Sequence, residues 1–258
     1  MSADLLVTVQ TFFLMLVRLL AVFSLAPVFS VHGVPNQFKI GIAFFVAMLL
    51  WPLQPANLSQ PLAWGNLALL VLREALVGAA IGFTARLVVA TAEIAGAVAD
   101  LQIGFRASSV MNPMTLFPSS EIEQLYFVLA CLLFLLFDGH HALLRAMAES
   151  YRIIPLGGAV NLSGPATPRL EMLVGETLVA GCRIALPVLA VSLLLDVTLA
   201  LLSRAVPQVQ VFFVGMPLKF AVGMAFVLIG LPGVIYVLRQ LFGQVPEQIS
   251  WVLRALAG

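Results

Sequence analysis

Asp138-Gly139-His140-His141 is the part of the sequence whose side chains come nearest to those of a metal site. Carboxylates and imidazoles bind Zn²⁺, and two histidines four residues apart on a helix can share one ion. His140 and His141 are adjacent instead, so on a helix we expect their rings to point about 100° apart. Asp138 with Gly139 is typical of a turn, with Asp138 capping a helix that runs to about Tyr151. The sequence therefore predicts neither a metal ion nor a cofactor here.

Serines are the other side chains considered for chemistry, because a positioned base can make a hydroxyl nucleophilic. The hydrolase patterns G-x-S-x-G and H-E-x-x-H do not occur in the sequence, and neither does the phosphate-binding pattern G-x-x-x-x-G-K-[ST]. Ser108, Ser109, Ser119 and Ser120 lie in a polar stretch and would need a base that the fold brings to them. We therefore predict that the protein is not an enzyme.

The composition points to a membrane. Hydrophobic residues make up 62% of the 258 residues and charged residues 10%. Soluble globular proteins contain about 45–50% apolar residues, so the chain is expected to be a membrane protein or a member of a membrane-bound assembly. The net charge is +1 without a basic run, which excludes nucleic-acid binding on electrostatic grounds. Cys131 and Cys182 lie in apolar stretches and are expected to act as small hydrophobic residues.

Almost every apolar stretch long enough to cross a membrane contains an ionisable residue. A span needs about 20 apolar residues, and a charge at its centre costs at least about 2.5–3.5 kcal/mol. The interruptions are Arg18 in Leu5–Val31, four residues in Leu67–Ala99 (Arg73, Glu74, Arg86 and Glu93) and Asp196 in Ile184–Leu202. We therefore expect these charges to be buried against protein or water and not against lipid. The acidic Asp4 before the first stretch favours a retained helix over a signal peptide.

Proline and glycine divide the chain into helices, so the predicted fold is all-α. The predicted helices are Asp4–Ser24, Phe38–Leu53, Gly65–Gln102, Glu121–Phe137, His140–Tyr151, Arg169–Ser203 and Val211–Phe242. A separate C-terminal piece, Pro246–Leu256, is predicted to lie at the membrane interface because it carries Trp251 and Arg254.

One face of the predicted helix Gly65–Gln102 combines glycines with charged residues. At 100° per residue, six of them fall within an arc of about 80°. They are Gly78, Gly82, Arg86, Glu93, Gly96 and Asp100. Glycines four residues apart let another helix backbone approach closely, so this glycine-charge stripe should face a helix and not lipid. That helix belongs either to the same chain, as an internal seam, or to another subunit.

The stretch 106–120 joins two apolar helices and is the least apolar and least periodic region of the chain. Its notable residues are Arg106, Ser108, Ser109, Met111, Asn112, Pro113, Met114, Phe117 and Pro118. Irregular backbone at membrane depth is tolerated only where protein buries it or where it lines a cavity, and methionine adapts to varied shapes. The stretch is therefore either a surface loop or a re-entrant loop that lines or blocks a channel.

Pro207 separates the last two long helices, because proline has no amide hydrogen and restricts the residue before it. Around this break lie the polar Gln208 and Gln210, the helix-loosening Gly215 and Pro217, and the basic Arg204 and Lys219. We expect the two basic residues either to reach lipid headgroups or to pair with acidic groups of a neighbouring subunit.

Three sequence blocks together resemble one protein family. They are Arg204–Lys219 (R-A-V-P-Q-V-Q-V-F-F-V-G-M-P-L-K) continuing to Gly223, Phe137–Leu144 (F-D-G-H-H-A-L-L) followed by Ser150 and Pro155, and Glu93–Gly96 leading to Gln102–Phe105. Their order and spacing are similar, along essentially the whole chain, to the FliR family, the export-gate membrane proteins of the bacterial flagellar type III secretion system. The virulence injectisome has a sister family, but the first two blocks look more like the flagellar branch.

The resemblance implies one subunit of a multi-chain export-gate channel built from membrane-associated helical hairpins, rather than an independent transmembrane bundle. In this family one FliR-like subunit completes a ring of FliP subunits, with FliQ packed outside, largely above the bilayer plane. Residues 1–258 would then form a single export-gate domain. Within it, residues 1–168 resemble FliP and carry a pore plug at 106–120, and residues 169–258 resemble the FliQ hairpin. The stripe and the residues around Pro207 become candidates for subunit contacts.

The function that the resemblance implies is the passage of unfolded flagellar subunits and the sealing of the pore at rest. The expected location is the bacterial inner membrane, within the flagellar basal body. The expected partners are FliP-like and FliQ-like proteins, other membrane proteins of the export apparatus, the exported proteins and membrane lipid. The alternatives are the equivalent subunit of an injectisome, or a secondary transporter that uses Arg86, Glu93 and Asp196.

Overall fold

The structure is a computed structural model that describes residues 3–29, 35–53, 64–104, 121–161, 166–206 and 211–258. Every regular element in these ranges is a helix, which confirms the all-α prediction. The α-helices are α1 (Ala3–Leu25), α2 (Asn36–Leu50), α3 (Trp64–Ile103), α4 (Glu121–Leu136), α5 (Gly139–Ile153), α6 (Ala166–Ala205) and α7 (Val211–Ala257). A short 3₁₀ turn, Trp51–Leu53, follows α2.

The predicted helix limits lie close to the observed ones except at the end of the chain, where the prediction is wrong. Helix α7 is 47 residues long and continues through Pro246 to Ala257. Val245, Ile249 and Val252 are only 3%, 1% and 1% exposed, so one face of this end of α7 packs into protein. Its position at the membrane interface stays a prediction. Burying several such side chains, at about 1.5–3 kcal/mol each, outweighs the roughly 3 kcal/mol that a proline costs inside a helix.

Four helices are long and apolar enough to cross a membrane, judged by length and composition over the described residues. They lie in α1, α3, α6 and α7, and α4 with α5 forms a bent pair that would count as a fifth span. Helix α6 has 40 residues, which at 1.5 Å per residue gives a length of about 60 Å, twice the roughly 30 Å hydrocarbon core. Such a helix extends well beyond the apolar layer of a bilayer.

The chain divides into two compact units, each built from separated segments. The first unit consists of Met1–Leu87, Phe134–Val174 and Phe242–Gly258, and the second of Val88–Leu133 and Gly175–Leu241. Helices α3, α4, α6 and α7 each contribute residues to both units. The division at residue 168 that the family resemblance implies stays a prediction.

The first unit buries α1 deeply. Leu14, Met15 and Leu19 have no exposed surface, and neither has Ala47 on α2. Phe12 of α1 contacts the rings of Phe44 and Trp51 edge-on, at centroid distances of 5.5 and 5.8 Å. Apolar packing of this kind fixes α1 against its neighbours by dispersion and by the area that it removes from water or lipid.

The second unit packs its helices closely at glycines. A Cβ atom on Gly181 of α6 would lie 2.7 Å from Ile94 of α3, and one on Gly223 of α7 would lie 2.5 Å from Ile103 of α3. Since Cβ atoms are not found that near to other atoms, these positions accept only glycine without a shift of the neighbour. Small residues at such points let helices of a membrane protein approach each other.

Candidate functional site

In the first unit, the glycine-charge stripe of α3 contacts α1. A Cβ atom on Gly82 would lie 2.7 Å from the carbonyl oxygen of Val22 and 2.9 Å from Leu25. A Cβ atom on Gly78 would overlap the carbonyl oxygen of Arg18. The space beside both glycines is therefore filled by a helix of the same chain. This agrees with the first of the two interpretations of the stripe, an internal seam. A subunit contact at these residues stays a prediction.

In the second unit, the same stripe contacts the beginning of α4. A Cβ atom on Gly96 would lie 2.8 Å from both the backbone nitrogen of Glu123 and the carbonyl oxygen of Ile122. Asp100, which has no exposed surface, accepts hydrogen bonds from the Ile122 N–H at 3.1 Å and the Glu123 N–H at 3.2 Å. The first N–H groups of a helix have no partner within it, so Asp100 caps α4 from a neighbouring helix.

Asp100 also holds the end of α3. Its carbonyl oxygen accepts a hydrogen bond from the N–H of Gly104 at 3.1 Å, and Gly104 has a φ of +94°, a left-handed conformation that favours glycine. One residue therefore ties together the two described ends of the stretch 105–120. We call Gly96, Asp100, Gly104, Ile122 and Glu123 the loop base.

The residues of the predicted plug lie outside the described ranges of the chain. They are Arg106, Ser108, Ser109, Met111, Asn112, Pro113, Met114, Phe117 and Pro118. Pro207 and Gln208 of the predicted tip also lie outside them. Of the other stripe residues, Arg86 and Glu93 are both partly buried, and their role at a subunit interface stays a prediction.

A buried ion pair forms the polar centre of the first unit. Arg18 Nε donates to Glu74 Oε2 at 2.6 Å, and the arginine also donates to Ser150 Oγ at 3.2 Å and to the Ile154 carbonyl oxygen at 3.0 Å. Its guanidinium carbon lies 4.3 Å from the centre of the Tyr151 ring. A buried charge needs such partners because desolvation alone is strongly unfavourable. The expectation that Arg18 and Glu74 are shielded from lipid by protein is met within one chain.

Four residues of this network were not identified from the sequence as partners of Arg18 or Glu74. They are Ser150, Tyr151, Ile154 and Gly157, whose N–H donates to Glu74 Oε1 at 3.1 Å. The signal in the sequence was indirect: an arginine in the middle of one apolar stretch and a glutamate in another imply partners of some kind. Two of these partners are backbone atoms, which any residue type can supply.

The hairpin of α6 and α7 contains a second ion pair. Lys219 Nζ lies 2.9 Å from Asp196 Oδ1 and 2.8 Å from Oδ2. Lys219 thus has an acidic partner inside the chain. The sequence had suggested only lipid headgroups or an acidic group of a neighbouring subunit as partners. Gly215 of α7 is buried beside Leu199, whereas Arg204 and Pro217 are exposed and available to a partner.

Asp138, His140 and His141 lie much closer together than the sequence predicts. The two imidazole rings have centroids 4.2 Å apart, so the expectation that adjacent histidines diverge is wrong. Asp138 does occupy the position before α5, but its side chain makes no capping hydrogen bond there. Its Oδ1 lies 3.1 Å from Nδ1 of His141 instead. Asp138 has a φ of +55°, a left-handed backbone conformation.

The sequence comparisons agree with the family resemblance. Residues 9–245 match the family described as bacterial export proteins, family 1. The chain is 30% identical to the flagellar biosynthetic protein FliR of Escherichia coli K12 over 95% of this chain and 93% of that protein. It is 31% identical to the FliR protein of Bacillus subtilis 168 over 96% of this chain and 95% of that one. The chain belongs to the FliR family of bacterial export proteins.

Membership in the FliR family assigns the chain to the flagellar protein export apparatus. The four long apolar helices make it a membrane protein. Together these findings connect the loop base and the buried ion pair with a protein of the export machinery.

Proposed function

We propose that this FliR-family chain is a structural subunit of the flagellar export gate that passes unfolded flagellar proteins and seals the pore at rest. The observation that carries the proposal is the loop base. Asp100 holds the last residues of α3 and the first N–H groups of α4 at one point. A segment that is to block a pore must be anchored at both ends. Asp100 provides the anchor, because its buried carboxylate accepts two hydrogen bonds from α4 and its backbone carbonyl oxygen accepts one from Gly104.

The surface of α6 and α7 supports an assembly with other chains. In the most apolar 18-residue stretch of each helix, only 17% of α6 and 22% of α7 is buried, compared with 39% of α3. Leu193, Leu194 and Leu201 are each about two-thirds exposed. At about 60 Å, α6 is longer than the roughly 30 Å hydrocarbon core, so lipid tails cannot cover its whole length. We assign the part of its apolar surface beyond the core to contacts with protein. We propose FliP-like and FliQ-like membrane proteins as the partners.

We further propose that the gate lies in the bacterial inner membrane within the flagellar basal body. Residues 1–168 would form the FliP-like region and residues 169–258 the FliQ-like hairpin of one export-gate domain. Other membrane proteins of the export apparatus and the exported proteins would be further contacts. We assign the chain no catalytic step, because it is proposed to act by providing a passage and its seal.

The pore-sealing role is tested by replacing Met111–Pro118 with a glycine-serine segment of the same length. We expect the leakage of ions across the cell membrane to increase while the chain still copurifies with its export-apparatus partners. A matched control replaces residues 54–61, a stretch of the same length between two other helices, with the same glycine-serine segment. Unchanged ion conductance in an assembled complex would overturn the sealing role.

The subunit role has a separate test. The full chain, purified from flagellated cells under mild detergent, is expected to bring with it small membrane proteins similar to FliP and FliQ in a defined ratio. Arg204→Ala and Pro217→Ala, which change exposed residues beside the hairpin end, should lower the yield of this complex. Recovery of the chain alone from membranes that contain intact basal bodies would contradict the proposal.

A further inference from the structure

We propose that Asp138, His140 and His141 form a binding site for a divalent transition-metal ion that prefers imidazole nitrogen, such as Zn²⁺. One possible ligand atom from each of the three residues lies within 4.8 Å of the other two. The proposal goes beyond the export-gate role and does not depend on it. It rests on the positions of the three side chains, on one buried nitrogen and on the turn that holds them.

The distances suit a metal ion. Zn²⁺ binds nitrogen at about 2.0–2.1 Å and carboxylate oxygen at about 2.0–2.2 Å, so neighbouring ligands of a tetrahedral site lie about 3.3 Å apart. Asp138 Oδ1 and His141 Nδ1 are already 3.1 Å apart. The ring of His140 lies beside that of His141, with an angle of 39° between their planes. A ligand atom of His140 lies within 4.8 Å of the other two, so a shift of about 1.5 Å would bring it to the spacing of a tetrahedral site.

His140 supplies the independent observation. Its Nδ1 atom is buried and makes no hydrogen bond with the described residues. Buried polar atoms are normally hydrogen-bonded, and one that is not calls for an explanation such as an ion. A neutral imidazole offers one lone pair to a metal through either ring nitrogen, and the other nitrogen keeps its hydrogen.

The backbone holds the three residues in this arrangement. Asp138 has a φ of +55°, which is uncommon for a residue other than glycine. Gly139 follows it, and a Cβ atom there would overlap the ring of Phe134. The turn between α4 and α5 is therefore tightly packed at Gly139, and it places Asp138 next to the first turn of α5. In this way two adjacent histidines and an aspartate meet without the usual four-residue spacing.

The chemistry of the ligands selects the type of ion. Two imidazoles and one carboxylate suit Zn²⁺, Ni²⁺ or Cu²⁺, whereas Mg²⁺ and Ca²⁺ prefer sites made of oxygen atoms. The side chains of His141 and Asp138 are 58% and 75% exposed, which leaves a path for the ion and room for water as a further ligand. A bound ion would connect the turn to α5 and stabilise it.

The proposal is tested on the full chain purified in detergent with an affinity tag that contains no histidine. After treatment with a chelator, the chain is titrated with Zn²⁺ alone, and binding is followed by calorimetry and by metal analysis after dialysis. We expect one Zn²⁺ per chain that the double variant H140A/H141A does not bind. Each single variant should weaken binding by more than about tenfold, since even indirect partners of a metal contribute about 10–100-fold.

The third histidine of the chain, His32, provides a matched control. His32→Ala should bind Zn²⁺ like the unchanged protein. If His140→Ala lowers the amount of folded chain, the exposed positions give a second measurement through Asp138→Asn and His141→Gln. Zn²⁺ should raise the melting temperature of the unchanged chain but not of these variants. Failure of the unchanged chain to bind Zn²⁺, or equal binding by the unchanged chain and by the variants of Asp138, His140 and His141, would overturn the proposal.

Discussion

Arg18 Nε and Glu74 Oε2 are 2.6 Å apart, and 1% and 2% of these two side chains are exposed. The pair joins α1 to α3, and it is reached from α5 by Ser150 and by the Tyr151 ring. The charge in the middle of the first apolar helix is thus matched inside the chain. This relationship explains how a helix with a central arginine remains compatible with a membrane protein.

Breaking this pair should strongly destabilise the first unit. Glu74→Ala leaves a buried arginine without its carboxylate, for which we expect a loss of about 3–5 kcal/mol. Thermal unfolding of the purified complex and the amount of chain in membranes both measure the effect. The double variant Arg18→Met/Glu74→Leu should be more stable than Glu74→Ala, because it leaves no uncompensated charge.

The exposed pair Arg152–Glu149 is the matched control for this experiment. Its atoms are 3.5 Å apart and its side chains are 82% and 51% exposed. Arg152→Ala should change stability by less than about 1 kcal/mol, as is usual for surface pairs. Similar losses for Glu74→Ala and Arg152→Ala would show that the buried pair does not hold the unit together.

Gly78→Ala should destabilise the contact between α1 and α3. The new methyl group would meet the carbonyl oxygen of Arg18 and the Cβ atom of Ala21, and overpacking of this kind costs about 1–3 kcal/mol. Gly230→Ala is the control, because nothing lies within 4 Å of a Cβ atom at that helical position. There we expect a gain of about 0.5–1 kcal/mol from the higher helix propensity of alanine. Melting temperatures that fall for Gly230→Ala and not for Gly78→Ala would contradict the close packing.

Asp100→Ala should loosen the loop base and increase ion leakage through the assembled gate. The change removes the cap of α4 and leaves one buried and one partly buried N–H group without an acceptor, at a cost of about 0.5–2 kcal/mol. Asp100→Asn keeps one acceptor oxygen, so we expect a smaller increase. Ion conductance measured in cells should be lowest for the unchanged chain, intermediate for Asp100→Asn and highest for Asp100→Ala. If ion leakage increased more in Asp100→Asn than in Asp100→Ala, the loss of the helix cap would be excluded as its cause.

A photo-crosslinking amino acid at Leu194 should form adducts with another protein of the export apparatus. Leu194 is 66% exposed on α6, so it is open to whatever covers this helix in the membrane. The neighbouring Ser192 has no exposed surface and serves as the control position, where we expect crosslinks only within the chain. Mass spectrometry of the adducts identifies the partner. Adducts with lipid alone at Leu194 would place this face of α6 against the bilayer.

The sequence predicted most of the local structure because helices depend on near neighbours. The Gly65–Gln102 helix was located by its apolar pattern, and its observed limits are Trp64 and Ile103. The end of α7 was not predicted. Pro246 is a local signal for a helix break, whereas the burial of Val245 and Ile249 depends on residues that are distant in the sequence. The turn at Asp138 was placed correctly, but the orientation of its side chain depends on a positive φ that the sequence only suggests.

The sequence by itself determined the class of the protein, the positions of its helices apart from the end of α7, the charges inside its apolar stretches and its family. Only the tertiary structure decided which groups match Arg18, Glu74 and Asp196. The partners of Arg18 are 56, 132 and 136 residues away along the chain, and Asp100 caps a helix that begins beyond the stretch 105–120. Periodicity reports which face of a helix is buried. It carries no information on which distant backbone or side-chain atom that face will meet, because the choice is made by the packing of whole helices.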